Sequence, residues 1–246
     1  MGCRSAAHRT LEETFEQIYT IDPTANVTVT NSDGAIFVYG SNVNEMQVHA
    51  VKKAYRSERL KQIAIDVSTK PGSVFIVTKF PLKPKWGFFD RSGTVEYTIV
   101  VPATASISRL DLNAGEILLD GIRGPVAHAR LGDGRMFARN CFTNLDLAVR
   151  RGNVIVSFDW WEESNFSAQA NIAHGNAWAY LPSDAAFHLL ANAAHGKIFN
   201  DFETLPVATP RTASGMKTDV AVHGGGEGTI NIHVAEGNIK IVEANP

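Results

Sequence analysis

The sequence predicts an all-β protein, in which an N-terminal β meander is followed by a single-chain, β-helix-like β-solenoid of roughly 20-residue rungs. Three observations predict this class. Stretches of alternating apolar and polar residues, rich in Val, Ile and Thr, recur along the chain. Glycines recur at nearly constant spacing after Pro102. The 246 residues are 44% hydrophobic and 20% charged, a composition typical of a folded globular chain.

Residues 1–20 are predicted to form an N-terminal tether, in which residues 11–17 favour a short helix. Residues 21–102 are predicted to form the β meander, with about six strands, which packs on the solenoid. Its first unit is strand, turn and strand over residues 27–38, because the polar segment 31–34 separates two alternating stretches.

Residues 103–246 contain a degenerate repeat, the strongest pattern in the sequence. The repeat aligns on glycines 19, 18, 23 and 21 residues apart, which are Gly115, Gly134, Gly152, Gly175 and Gly196. The residue three before each glycine is apolar, and so are nine of the ten residues two and four after it. A unit of this size cannot bury its apolar face alone. Successive units are therefore expected to stack and to share a core, which predicts the solenoid.

The alternation places the residues two and four after each glycine on one face of successive strands, about 4.8 Å apart. We expect these residues to form a buried, stacked core, which includes Ile117, Leu119, Val154, Val156 and Ile198. The same frame places His174 and His195 on neighbouring rungs. Two imidazoles could hold a metal ion, but no third ligand lies at a matching position, so no metal site is predicted.

The residue three after each glycine should point away from the core, and all five such residues are apolar. They are Leu118, Phe137, Ile155, Trp178 and Phe199. Such a stripe is either an interaction surface or is covered by another part of the same chain. Two aromatic loops, with Trp86 and Phe89 in one and Trp160 and Trp161 in the other, present the same alternative. The four loop residues and Trp178 are the candidate binding surface.

No catalytic constellation is evident in the repeat region. Its carboxylates occupy different positions of the frame, so stacking would scatter them around the coil. They are Asp111, Glu116, Asp120, Asp133, Asp146 and Asp159. An activated-serine elbow and a phosphate-binding loop are also absent from the sequence. We therefore predict a non-enzymatic protein without a cofactor; the alternative is a carbohydrate-active enzyme, a polysaccharide lyase or hydrolase on a β-helix.

Residues 27–40 (VTVTNSDGAIFVYG), 48–54 (VHAVKKA) and 95–102 (VEYTIVVP), followed by repeated Gly-x-Ile units, resemble the DUF4097 family of bacterial β-strand-repeat proteins of adhesin type. The resemblance covers residues 20–245. It implies an exported protein of the bacterial cell envelope, in the periplasm or on the outer surface, and often a lipoprotein. It implies no catalytic residues. The predicted function is an adhesin-like binding or scaffold module with an unknown envelope or glycan partner; a self-polymerising structural protein is a further alternative.

The net charge of −2 provides no basic field for nucleic acid, and no apolar stretch approaches the roughly 18 to 20 residues that span a bilayer. Cys141 lies in a strand-like segment, which favours a buried thiol. Cys3 follows Gly2, and a Gly-Cys pair resembles the end of a lipoprotein signal, which makes Cys3 a candidate for lipid attachment. The apolar stretch that precedes such a pair is absent. Either a start Met has replaced an export signal, or the resemblance is chance.

Overall fold

The structure, a computed structural model, describes residues 10–81, 93–202 and 215–244. The described residues form fifteen strands of one sheet and one short helix, α1 (Ser57–Gln62), so the chain is all-β as predicted. Among these residues, the structure contains no helix with the length and hydrophobicity of a transmembrane span. The strands are β1 (Leu11–Thr20), β2 (Asn26–Ser41), β3 (Glu45–Ala54), β4 (Ala64–Lys70), β5 (Ser73–Lys79), β6 (Thr94–Pro102), β7 (Ser106–Asp120), β8 (Val126–Arg139), β9 (Asn144–Ser157), β10 (Ser167–Pro182), β11 (Phe187–His195), β12 (Ile198–Asn200), β13 (Met216–Val222), β14 (Gly228–Glu236) and β15 (Ile239–Ala244).

Five long strands, β2 and β7 to β10, lie side by side and run parallel. A glycine divides each strand into a first arm and a second arm, and these glycines pair in one column: Gly34, Gly115, Gly134, Gly152 and Gly175. Their φ angles lie between +125° and +143°. A Cβ on Gly134 would lie 1.8 Å from the carbonyl oxygen of Gly115. Glycine is therefore required at this bend, both for its φ and for the close approach of the backbones.

The core lies along the inward face of both arms. Ile117, Leu119 and Val154 are fully buried, and Val156 and Ile198 are at most 9% exposed, which confirms the predicted core. The residues two after the glycines stack across the sheet in the order Ile117, Met136, Val154, Ala177, Ile239 and Ile198. Each fully buried Val, Ile or Leu contributes roughly 1.5–3 kcal/mol relative to exposure. Burial along the stack therefore holds the strands together.

The order of strands at the C-terminal end differs from their order in the chain. The first arm of β10 pairs with β14 and its second arm with β15, and only beyond these strands lie β11 and β12. In the strand register, Glu236 of β14 consequently lies between His174 of β10 and His195 of β11. The expectation that these two histidines are neighbours is wrong, because a later segment of the chain lies between their strands.

The N-terminal region is not a meander, because β2 is not hydrogen-bonded to β3. β2 instead pairs in parallel with β5 and β6 on one side and with β7 on the other. β4 and β3 then run antiparallel to β5 and β6. Alternation predicts that a segment is a strand but not which strand it pairs with, and this is why the meander was wrong. The sheet continues across residue 102, and a domain division there stays a prediction.

The predicted helix at residues 11–17 is also wrong, since this segment lies in β1, which pairs antiparallel with β3 along its whole length. Lys52 of β3 donates a hydrogen bond to Glu13 of β1 at 2.5 Å, and Phe15 and Tyr19 pack against the core. Most β1 residues are exposed, so the alternation that marks a strand is weak. Pairing with β3 overrides local propensity.

Candidate functional site

A groove of about 700 Å³ crosses the outer face of the first arms, beside the glycine column. It is lined by residues of β2, β7, β8, β9, β10 and β14, and at the strand spacing it is about 24 Å long. Small residues, Gly132, Ala148 and Ala173, lie near its middle. Hydrogen-bonding side chains accompany them along the groove, namely Thr30, Asn113, Arg130, Arg150, Asn171 and His233. The groove can therefore hold an extended chain by contacts on several successive strands.

The charges along this groove are partly neutralised within the sheet. Arg150 forms an ion pair with Asp133 of the neighbouring strand, and Asp111 forms one with Arg109. Arg130 is exposed and has no ion-pair partner among the described residues. Its planar guanidinium thus offers up to five N–H donors to a ligand in the groove.

The carboxylates that a lyase or hydrolase would use are each paired with another side chain. The pairs are Asp111–Arg109, Glu116–Arg135, Asp120–Arg139, Asp133–Arg150, Asp146–His128 and Asp159–Asn140. The six carboxylates occupy different columns of the stack, as the frame predicted. Within the described part of the chain, no three His, Cys, Asp or Glu residues are grouped so that they could hold a metal ion.

The outward residues of the second arms form an apolar column. Leu118, Phe137, Ile155 and Trp178 occupy neighbouring positions on β7, β8, β9 and β10, as predicted. Phe37 of β2 extends the column by one strand. Sequence reasoning missed Phe37, although Gly34 provides the same frame three residues earlier. We call these five residues the apolar column.

The predicted stripe differs from this column at its C-terminal end. Lys240 of β15 lies between Trp178 and Phe199, so Phe199 is separated from the other four predicted residues. The cause is again the insertion of β14 and β15 between strands that are adjacent in the repeat. The five column residues are all partly exposed.

The two adjacent tryptophans have different environments. The Trp161 ring lies 5.4 Å from the Phe158 ring and 5.5 Å from the Phe166 ring, between centroids, and packs against the core. Trp160 is 46% exposed, and its indole N–H donates to Glu162 at 2.7 Å. Trp161 is therefore a packing residue, and Trp160 alone of the pair offers a ring to a ligand.

Glu162 holds Trp160 in place through a second partner. Arg123 donates two hydrogen bonds to the Glu162 carboxylate, each 2.7 Å long. The hydrogen bonds from Arg123 and Trp160 lower the pKa of Glu162 to about 2. The Arg123 guanidinium also lies over the Phe142 ring, 5.2 Å from its centroid. The exposed indole is thus fixed by an ion pair that is itself anchored on the aromatic core.

Three predicted site residues, Cys3, Trp86 and Phe89, lie outside the described residues. Cys141 is buried as predicted, and its thiol donates to the carbonyl oxygen of Arg139 at 3.2 Å. Burial raises the pKa of Cys141 to about 12. This thiol therefore stays protonated and unreactive at neutral pH.

Sequence reasoning also missed the groove, although a signal was present in the glycine frame. The positions four and two before the glycines are occupied by polar or small residues, such as Asn171 and Ala148 at the first position and Asn113 and Gly132 at the second. Whether such positions form a groove depends on which side chains lie beside one another on neighbouring strands. That arrangement follows from the strand pairing and is not visible in one repeat.

No protein-family model and no curated protein matches the chain. Among solved structures, a "putative cell adhesion protein" from Clostridium sporogenes is 15% identical, with a TM-score of 0.55 over 94% of this chain and 100% of that chain. A "putative adhesin" from Bacteroides fragilis is 9% identical, with a TM-score of 0.34 over 94% and 97% of the two chains. A "putative lipid binding protein" from Parabacteroides distasonis is 13% identical, with a TM-score of 0.30 over the same shares. The likeness to the Clostridium sporogenes protein shows a shared fold.

Proposed function

We propose that this protein is a non-enzymatic binding module of adhesin type, a member of the DUF4097 family that is exported to the bacterial cell envelope. The observation that carries the proposal is the groove across six strands of the sheet. An open groove about 24 Å long suits an extended polymer better than a small substrate, which is normally enclosed. The fold shared with the protein described as a "putative cell adhesion protein" supports the same role.

The proposed architecture is a β-solenoid, in which each rung has a first arm, a second arm and a connecting segment. The connecting segments stack like the arms. The backbone N–H of Arg123 donates to the carbonyl oxygen of Ala103, and the hydroxyl of Thr143 donates to the carbonyl oxygen of Gly124. Ile122 of one such segment is fully buried. Three segments that stack in the same order, rung after rung, support a coil with one continuous core.

The proposed ligand is a glycan chain. The backbone groups of the strands beneath the groove are engaged in the parallel ladder, so a peptide cannot add there as a new strand. The ligand must be held by side chains, and these include Arg130, Asn171 and His233, with the small Ala148 and Ala173 between them. A hydroxyl-rich polymer with apolar C–H faces matches this mixture of polar and apolar surface.

The arrangement of carboxylates supports binding without cleavage. The usual hydrolysis of a glycoside requires two carboxyl groups that flank the scissile bond. Asp111 is the one carboxylate of the described residues that lines the groove, and it is paired with Arg109. A glycan in the groove would therefore meet a single, ion-paired carboxylate.

Isothermal titration calorimetry with an acidic and a neutral linear polysaccharide, polygalacturonate and a soluble β-glucan, tests the groove. Ala148→Trp fills the middle of the groove and should abolish binding. Ile155→Ala, on the second arm of the same strand, is the matched control and should leave binding unchanged. Binding that is insensitive to Ala148→Trp would refute the groove. New reducing ends that disappear in Asp111→Asn would instead favour the lyase or hydrolase.

The envelope location includes a proposed lipid anchor at Cys3. Mass spectrometry of the N-terminal peptide of the native protein, isolated from its own membranes, should show an acylated cysteine as the first residue. A peptide that retains an unmodified Met1 would refute the anchor. That result would leave the groove proposal untouched, because the two depend on different residues.

A further inference from the structure

The apolar column plays no part in the groove, since it lies on the second arms. Its members, Phe37, Leu118, Phe137, Ile155 and Trp178, form an unbroken, partly exposed row across five strands. Single apolar residues at a surface are ordinary, whereas a continuous row marks an interaction face. We propose that this face is the contact surface of a symmetric dimer of this chain, separate from the proposed ligand groove.

Two ion pairs flank the column on the same two strands. On the side of the glycines, Arg135 of β8 donates to Glu116 of β7 at 2.8 Å. On the far side, Arg139 of β8 donates to Asp120 of β7 at 2.6 Å. β7 therefore carries two acidic side chains and β8 two basic ones, one of each sign on either side of the column.

This charge pattern selects one way to place a second copy on the face. A two-fold axis that runs along the strands, between β7 and β8, places β7 of each copy opposite β8 of the other. Glu116 then faces Arg135 of the partner subunit, and Asp120 faces Arg139 of the partner subunit. Symmetry repeats both contacts, so that four complementary pairs surround the axis.

The same charges exclude the other two-fold axis in the plane of the face, which runs along the stack. That axis would exchange the two flanks of the column. Glu116 would face Asp120 of the partner subunit, and Arg135 would face Arg139 of the partner subunit. Like charges opposite one another in an interface are strongly unfavourable. Of the two axes that keep the strands of both copies aligned, the charges therefore favour the one along the strands.

The selected axis also matches the positions farther from the centre. Phe37 faces Ile155 of the partner subunit, so apolar side chains continue to meet. Two strands from the axis, Glu96 of β6 faces Asn176 of the partner subunit, an acceptor opposite a donor. With this axis, no two like charges face each other at the outward positions of the six neighbouring strands β6, β2, β7, β8, β9 and β10.

The size of the face sets the expected strength of the dimer. Six strands and a width of five residues make a face of about 30 Å by 16 Å, or roughly 500 Å² on each copy. A dimer would thus bury roughly 1,000 Å² in total, the lower end for specific protein interfaces. We expect a reversible dimer with a micromolar Kd.

Sedimentation velocity of the full chain over a concentration series tests the dimer. Glu116→Arg and Arg135→Glu each place like charges opposite one another, and each should weaken the dimer roughly 10- to 100-fold. An equimolar mixture of the two variants should dimerise again, because the variants carry opposite charges at both positions.

The mixture separates docking from folding. Each variant loses its own internal ion pair in the mixture as well as alone, so a folding defect would not be rescued. Asp66→Lys breaks the exposed Lys79–Asp66 pair between β4 and β5 and serves as the matched control, which should dimerise like the wild type. A wild-type chain that stays monomeric at all concentrations would overturn the proposal, and so would single variants that dimerise normally. Polysaccharide binding by the monomeric variants would show that the groove acts independently.

Discussion

The outer faces of the two arms differ although the same strands build both. On the first arms the outward residues are polar or small, and they leave a groove that contains the exposed Arg130. On the second arms the outward residues form the apolar column, flanked by ion pairs. The inward residues of both arms are mostly apolar and buried; Asn31 of β2 is a buried polar exception, and its side-chain amide donates to the carbonyl oxygen of Val95 at 2.8 Å. A stack of parallel strands therefore fixes its core by a repeated inward pattern, while each outward column is free to carry a different surface.

We expect the largest effect from a substitution at the glycine bend that separates the first arms from the second arms. Gly134→Ala places a Cβ 1.8 Å from the Gly115 carbonyl oxygen at a φ of +142°. We expect a loss of about 4 kcal/mol or more in the free energy of unfolding, from backbone strain and steric overlap. Urea denaturation measures this loss. Gly72→Ala is the control, because Gly72 also has a positive φ, of +69°, but open space around it; a loss equal to that of Gly134→Ala would contradict the role of close packing.

The tryptophan pair tests the difference between packing and surface residues. Trp161→Ala removes a ring from the cluster with Phe158 and Phe166 and should cost about 2–4 kcal/mol, slightly less than at a fully buried site. Trp160→Ala should lower the free energy of unfolding less, by about 1 kcal/mol, because Trp160 is 46% exposed. Thermal denaturation of both variants checks this. A larger loss for Trp160→Ala would mean that the exposed ring, and not its neighbour, is the packing residue.

Substitutions of Val154 and Ile155, consecutive residues of β9, compare the inward and outward sides of one strand. Val154→Ala should cost about 1–3 kcal/mol, because Val154 is fully buried. Ile155→Ala removes more atoms but should cost only about 1 kcal/mol or less in the monomer, since Ile155 is partly exposed. Chemical denaturation at low protein concentration measures both values. The reverse order would show that the inward and outward sides have been exchanged.

The smallest predicted effect concerns the ion pair that fixes Trp160. The pKa of Glu162 lies at about 2, below its usual value of 4.5, so the stabilisation is fully present above the usual value and is lost as the pH falls toward 2. The stability advantage of the wild type over Glu162→Gln should therefore shrink between about pH 5 and pH 2, by up to about 1 kcal/mol for a pair this exposed. Denaturation curves across this range measure the difference. A difference that is constant with pH would contradict the ion pair.

The candidate surfaces were predictable only in part. The glycine frame predicted the outward positions of Leu118, Phe137, Ile155 and Trp178, because inward and outward sides alternate along any strand. The different environments of Trp160 and Trp161 were not predictable, because the loop that contains them has no repeating pattern. The complementary charges on β7 and β8 could not be recognised either, since their meaning depends on the pairing register and on symmetry.

The sequence was enough to predict most local features of this protein: the long strands, the bends at glycine, and an inward apolar face that includes Ile117 and Val154, although not strand β1. These features follow from alternation and from the φ that a bend requires, which are properties of a few consecutive residues. The tertiary structure alone decided which strands pair. It placed β14 between β10 and β11, β2 between β6 and β7, and β1 beside β3. Pairing joins segments far apart in the chain, and many partners satisfy the same alternating pattern, so the choice depends on the packing of the whole stack.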